Sequence, residues 1–201
     1  NYPSDTAYAW WLMEQFWAIL AQELAHSSGG VAYLAYPAIS TLSDRVQAAP
    51  LRPVALPVIW QTPAEKQAVE DFIRANGITL LYLTDQPYFS PRYAAFRRWG
   101  VRTIIIHDHT PGDKPPVTGW KGYVKALRNR QPLLTADAIF CVSDWMRTRS
   151  LTNARVPAAK CHVIQNGIPP VQLDRRIRQE VRRRLGIGED SVVVVTRGRV
   201  H

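Results

Sequence analysis

Two histidines flank an aspartate at His107-Asp108-His109, directly after the apolar run Val101-Arg-Thr-Ile-Ile-Ile106. Such a triplet can move protons, hold a substrate hydroxyl or contribute to a metal site. In an extended segment neighbouring side chains point to opposite sides, so His107 and His109 can share a side while Asp108 faces away. No third ligand stands at a supporting spacing, which argues against metal. A polar loop whose histidine bonds backbone is the other reading the triplet admits. Further on, Ile164-Gln-Asn166-Gly167-Ile168-Pro169 contains an Asn-Gly pair suited to a tight turn, structural or ligand-facing. Near the end, Thr196-Arg197-Gly198-Arg199 sets a glycine beside an arginine after a run of valines. Glycine permits close approach and a guanidinium can grip a phosphate bidentately, although two exposed arginines would look the same. Finally, Lys121, Lys125 and Arg128 recur at i, i+4 and i+7, which stacks them on one face of a helix over roughly 118–130. Trp120, Tyr123, Val124 and Leu127 are expected on its core-facing side. The stripe is either a solvated surface or a face meeting anionic lipid or a phosphorylated lipid carrier.

The elements that would position these residues alternate. Trp10, Met13, Phe16, Trp17, Leu20 and Leu24 fall on one face of a helix over 8–25, and Val31–Tyr36 reads as a strand. The proline-rich stretch 37–62 is hard to assign, with a strand expected at Val54–Trp60. Pro63–Arg74 is a helix stopped by Asn76-Gly77, and Ile78–Leu83 a strand. Pro91–Trp99 is a helix closed by Gly100. Val101–Ile106 has the strongest strand composition, with β-branched residues through its centre. Strands are expected again at Ala138–Val142, Cys161–Ile164 and Val192–Val195, separated by helices at Ser143–Ala154 and Asp174–Leu185. Strand–helix alternation at this spacing predicts right-handed βαβ units: an α/β, doubly wound, mostly parallel Rossmann-like sheet. Ligands of such sheets bind beyond the carboxyl ends of the strands, where His107 stands.

The chain has 201 residues, 46% of them hydrophobic and 20% charged, which excludes wholesale disorder. Two cysteines, Cys141 and Cys161, are too few for a disulfide scaffold or a four-cysteine zinc module. Trp10–Leu24 is interrupted by Glu14, Gln15, Gln22 and Glu23, so no membrane span is encoded there. The net charge of +9 is uneven. Residues 1–90 hold four basic against eight acidic residues, and residues 91–201 hold 21 against eight. A basic half of this kind points to an anionic partner: phosphorylated substrate, nucleic acid or acidic membrane surface.

In this order, a strand ending in His107-Asp108, a later Val142-Ser143, Val163-Ile164-x-Asn166-Gly167-Ile168, an arginine-rich helix and an apolar run ending in Gly198-Arg199 form a pattern. It resembles the retaining GT-B glycosyltransferases of the large family that includes sucrose synthase, glycogen synthase and bacterial envelope sugar transferases. The resemblance covers nearly the whole chain, most strongly 101–201. It implies an acceptor-side Rossmann-like domain over 1–170, lacking its first strand. A linker helix and the first strand of a donor-binding domain would follow over 171–201. His107 matches the family's histidine lining the cleft near the transferred sugar. Asp108, His109, Ser143, Asn166 and Gly167 fall in substrate-facing positions, and Gly198-Arg199 matches the pair whose arginine contacts the donor diphosphate. The family's glycine-rich loop after the first strand is absent, Asn1-Tyr-Pro-Ser-Asp-Thr6 standing in its place. The implied partners are a nucleotide-sugar donor, a saccharide or lipid-linked acceptor and an anionic membrane surface. Neither metal nor resident cofactor is implied, and cytoplasmic placement at the inner face of the membrane is expected. Because most donor contacts would come from outside 1–201, this stretch alone is expected to be inactive.

Two readings from other classes compete. A dinucleotide-dependent Rossmann enzyme would carry G-x-G-x-x-G after its first strand, and none is present. A nucleic-acid-binding module is suggested by the basic half and by Arg182-Arg183-Arg184, but no binding motif accompanies them. An arginine-rich helix with a narrow stripe of Ile177, Val181 and Leu185 fits a solvated linker as well.

Overall fold

The computed structural model describes residues 3–4, 7–110, 116–167, 170 and 172–194, with 7–10 as backbone only. Gly198, Arg199, Lys114, Ile168 and the Trp10 side chain therefore lie outside the described residues. The chain divides into two compact units, Asn1–Gln165 and Asn166–His201.

In the first unit every strand pairing between named strands is parallel, as the alternation of elements predicts. β1 (Ala32–Tyr36) follows the long helix α1 (Ala7–Ser28) and pairs with β2 (Leu51–Ala55), the short helix α2 (Asp44–Ala48) lying between them. A second sheet runs in the order β3 (Leu80–Thr84), β4 (Thr103–Asp108), β5 (Ala138–Cys141), β6 (Cys161–Val163). α3 (Pro63–Ala75), α4 (Pro91–Arg98), α5 (Gly119–Arg128) and α6 (Asp144–Thr152) connect the strands.

The helix starts are set by side chains that satisfy otherwise unpaired backbone N–H groups. Thr62 and Glu65 form a reciprocal capping box on α3, and Ser90 and Ser143 cap α4 and α6. Prolines open α3 and α4, where their missing N–H costs nothing. The core gathers Val69 and Ile73 from α3, Phe96 from α4, Ile104 and Ile106 from β4, and Ile139 and Cys141 from β5. A smaller cluster joins Leu34, Tyr36 and Val46, with Trp17 packed against it. Cys141 and Cys161 are buried free thiols.

Four expectations are corrected. β2 lies at Leu51–Ala55 rather than Val54–Trp60. It is an edge strand that tolerates Pro53, whereas Trp60 packs its ring against Phe96 and Trp99. β4 runs on through Asp108, because Thr84 on one side and Phe140 and Cys141 on the other continue the ladder. Val192–Val194 form no strand, and Val192 and Val194 are exposed. Finally, α5 is rotated: Trp120, Tyr123, Val124 and Leu127 face outward instead of the core. The side packed on the protein carries Gly122 and Asn129, both buried. Gly122 lets the helix close on the preceding loop, since a Cβ there would lie 2.5 Å from the Val117 carbonyl oxygen. Lys125 Nζ donates to the Asn153 carbonyl at 2.7 Å and Asn129 Nδ2 to that of Ala154 at 2.5 Å.

In the second unit α7 (Arg175–Leu185) is capped by Asp174 and closed by Gly186 at φ 66°, the left-handed geometry that favours glycine.

Candidate functional site at the carboxyl ends of β3 and β4

His107 is held by the sheet on both sides, opposite Thr84 of β3 and Phe140 of β5. Alternation along β4 then fixes which way each member of the triplet points. The His107 and His109 rings lie on one side, their centroids 4.1 Å apart. Asp108 turns the other way, where one carboxylate oxygen accepts from Arg149 at 3.1 Å and the other from the Thr110 N–H at 3.0 Å.

The His107 imidazole is only 2% exposed, with Phe16 of α1 over it at 5.7 Å between ring centroids. Its Nδ1 shares a hydrogen bond with the Tyr82 hydroxyl, and its Nε2 is buried without a protein partner. Burial, reinforced by the neighbouring His109 charge and only partly opposed by Asp85, pulls the His107 pKa down to about 4. The ring is therefore neutral at ordinary pH. Burial also pushes the Tyr82 phenol above its usual range, so its hydroxyl keeps its proton. In the tautomer in which Tyr82 donates to Nδ1, the remaining imidazole proton sits on Nε2, which meets no protein partner.

Asp85, immediately after β3, was not singled out from sequence. It adopts φ 55°, the left-handed region that an aspartate tolerates better than most residues. From there its N–H donates to the His107 carbonyl at 2.9 Å, and its Oδ1 accepts the His109 N–H at 2.6 Å. Burial works to raise its pKa, but the hydrogen bonds and charge of His109 prevail and hold it below the ordinary aspartate value. One strained residue thus ties the end of β3 to both histidines. No local motif announces it, since only the pairing of β3 with β4 brings it there. Phe16 and Tyr82 were missed for the same reason.

The other sequence-derived residues are dispersed. Ser143 stands just past β5, its Oγ accepting the Met146 N–H at 3.3 Å as the cap of α6. Asn166 and Gly167 belong to the second unit and are exposed. Gly167 has no positive φ, and the tight turn expected of the pair would run into Ile168, outside the described residues. Gly198 and Arg199 lie outside the described residues. Lys121, Lys125 and Arg128 are on α5, with Lys125 directed inward to Asn153. Among the described residues no three His, Cys, Asp or Glu side chains are grouped so as to hold a metal ion.

Comparison with solved structures finds a glycosyltransferase from Rickettsia africae ESF-5 at a TM-score of 0.62 and 13% sequence identity. The match covers 88% of this chain and 46% of that one. At this identity the likeness concerns the fold, and the chain spans less than half of that structure. No curated protein matches. A sequence model described as Glycosyltransferase Family 4 matches residues 13–172, most of the chain, which therefore belongs to that family.

Proposed function

We propose that this chain is the acceptor-side part of an enzyme that transfers a hexosyl group from a nucleotide sugar to a saccharide or lipid-linked acceptor, with retention at the anomeric carbon. The observation that carries the reading is the partnerless Nε2 of His107, fixed by the sheet at the carboxyl end of a parallel strand. A neutral imidazole there can donate to an oxygen of the transferring sugar and orient it in the transition state. The Phe16 ring packs tilted beside the same imidazole and would border the bound sugar. His109, Ser143, Asn166 and Gly167 would line the substrate path. Asp108, already held by Arg149 and the Thr110 N–H, would act by fixing the loop. Gly198 and Arg199 would meet the donor diphosphate, the guanidinium offsetting charge that develops on the leaving group. No metal is needed for that task.

The domain division fits the same reading. Among the described residues β1 pairs only with β2, and β3 only with β4. One more parallel strand between β1 and β3, counted as the first, would give the order 3-2-1-4-5-6-7, which is the 3-2-1-4-5-6 order of doubly wound folds with a seventh strand at its end. Residues 1–170 then form an acceptor-side domain that takes its first strand from outside 1–201, and 171–201 lead into a donor-binding domain.

The test is transfer by the full-length enzyme across a panel of nucleotide sugars, with the anomeric configuration of the first product followed by NMR. Retention is expected, and an inverted product would refute the mechanism. Asp85 gives a finer check. Asp85→Asn keeps an acceptor oxygen and tolerates positive φ, so kcat should stay within about threefold of the parent. Asp85→Gly relieves the backbone but loses the tie to His109, and kcat should fall about tenfold at unchanged KM. Equal kcat for the two variants would reduce Asp85 to a structural turn.

A further inference from the structure

Helix α5 is built inside out for a surface helix. Trp120, Tyr123, Val124 and Leu127 follow i, i+3, i+4, i+7 spacing and occupy a single arc of about 100°. They are 73%, 75%, 50% and 54% exposed. The opposite side, which meets the protein, carries Gly122, Asn129, the half-buried Ala126 and the inward-tied Lys125. The large apolar side chains are thus withheld from the core, and nothing among the described residues covers them.

The charge around this face selects its partner. No acidic residue occurs from Pro116 to Ala136, whereas Lys121, Lys125, Arg128 and Arg130 do. Lys125 spends its ammonium on the Asn153 carbonyl. Lys121 and Arg128 border the apolar arc on one side by helical geometry, and Arg130 follows on the other. The Arg128 guanidinium is steadied over the Phe89 ring, 4.4 Å from its centroid. An apolar strip bearing Trp and Tyr and rimmed only by cations complements an anionic lipid surface: rings at headgroup depth, cations against phosphates. No helix among the described residues is long and apolar enough to cross a membrane, so such contact would be made lying in the interface.

We infer that α5 docks the protein on anionic membrane, inserting Trp120, Tyr123, Val124 and Leu127 while Lys121, Arg128 and Arg130 meet the headgroups. The test of this surface needs no glycosyl transfer.

The full-length protein is mixed with vesicles of phosphatidylcholine containing 30% phosphatidylglycerol, or of phosphatidylcholine alone, and sedimented over a salt series. The parent should bind the anionic vesicles, weaken as salt rises, and bind the neutral ones at least about tenfold less. Trp120→Ser/Leu127→Ser and Lys121→Gln/Arg128→Gln should each lower anionic binding about tenfold or more. These positions are exposed, so circular dichroism should show both variants folded as the parent is. Independently, lipids brominated near the headgroup should quench parental fluorescence, and Trp120→Phe should remove much of that quenching. Parental failure to bind, or undiminished binding by folded variants, overturns the inference. So does self-association of the parent, seen by sedimentation velocity and abolished in Trp120→Ser/Leu127→Ser, which would assign the face to a second copy.

Discussion

His107→Ala in the full-length enzyme is expected to lower kcat by about 10²-fold or more, with His109→Ala costing clearly less. His107 sits in a ladder with strands on both sides, which fixes its ring, whereas His109 follows the last strand residue and depends on Asp85. Equal losses at the two positions, measured by steady-state kinetics, would show that the wrong imidazole has been assigned. The pH profile adds a constraint. Because burial keeps the folded pKa of His107 near 4, its acid limb should lie well below the usual histidine range. The same shift has a sign for stability. Between about pH 4 and 6.5 the unfolded chain binds a proton at this residue that the folded chain refuses, so stability contributed here falls as pH drops through that window. Denaturant titrations at pH 7 and 5 should separate, with His107→Phe narrowing the gap.

Phe96→Ala should be the most damaging single change to the fold, at about 3–5 kcal/mol. The ring is fully buried and touches Trp60 edge-on at 5.4 Å, Trp99 edge-on at 5.7 Å and Tyr93 in a stack at 6.4 Å. Its removal leaves a cavity bounded by three large rings that cannot collapse together, and these edge-to-face pairs are lost as well. Against a total of about 5–15 kcal/mol for a typical domain, the variant should unfold at much lower urea. A midpoint within experimental error of the parent's would mean that these aromatics repack freely.

The legibility of the chain varies with how local the cause is. Helices α3 and α4 are readable from the prolines that open them and from the stops Asn76-Gly77 and Gly100, and α7 from its cap Asp174; the caps Thr62, Ser90 and Ser143 are signals that the structure adds. The end of β4 was placed two residues early, since His107 and Asp108 are polar and only their neighbours on β3 and β5 keep them in the ladder. The five-residue helix α2 escaped notice because one turn has no periodicity. α5 shows the opposite failure. Its pattern was plain, but pattern alone cannot say whether an apolar face turns inward or outward. That choice was made by Gly122 and by two carbonyls on the α6–β6 side, Asn153 and Ala154. At the site, the triplet was legible as a cluster, but Asp85, Tyr82 and Phe16 reach it only through tertiary pairing.

The division into two sheets has a consequence for how the molecule opens. Among the described residues no strand pairing joins β1–β2 to β3–β6; side chains tie β1 to α3 instead, notably the Tyr33 hydroxyl on Asn76 at 2.9 Å and the Tyr33 ring edge-on to Phe72 at 5.1 Å. Interactions of that kind yield a few at a time, whereas a backbone ladder yields together. The amides of Leu34 and Tyr36 should therefore exchange with solvent hydrogen through partial openings that leave Ile104 and Ile106 protected. Residues 1–201 by themselves should thus behave as two cooperative units of unequal rank, with the His107 ladder anchored in the more durable one.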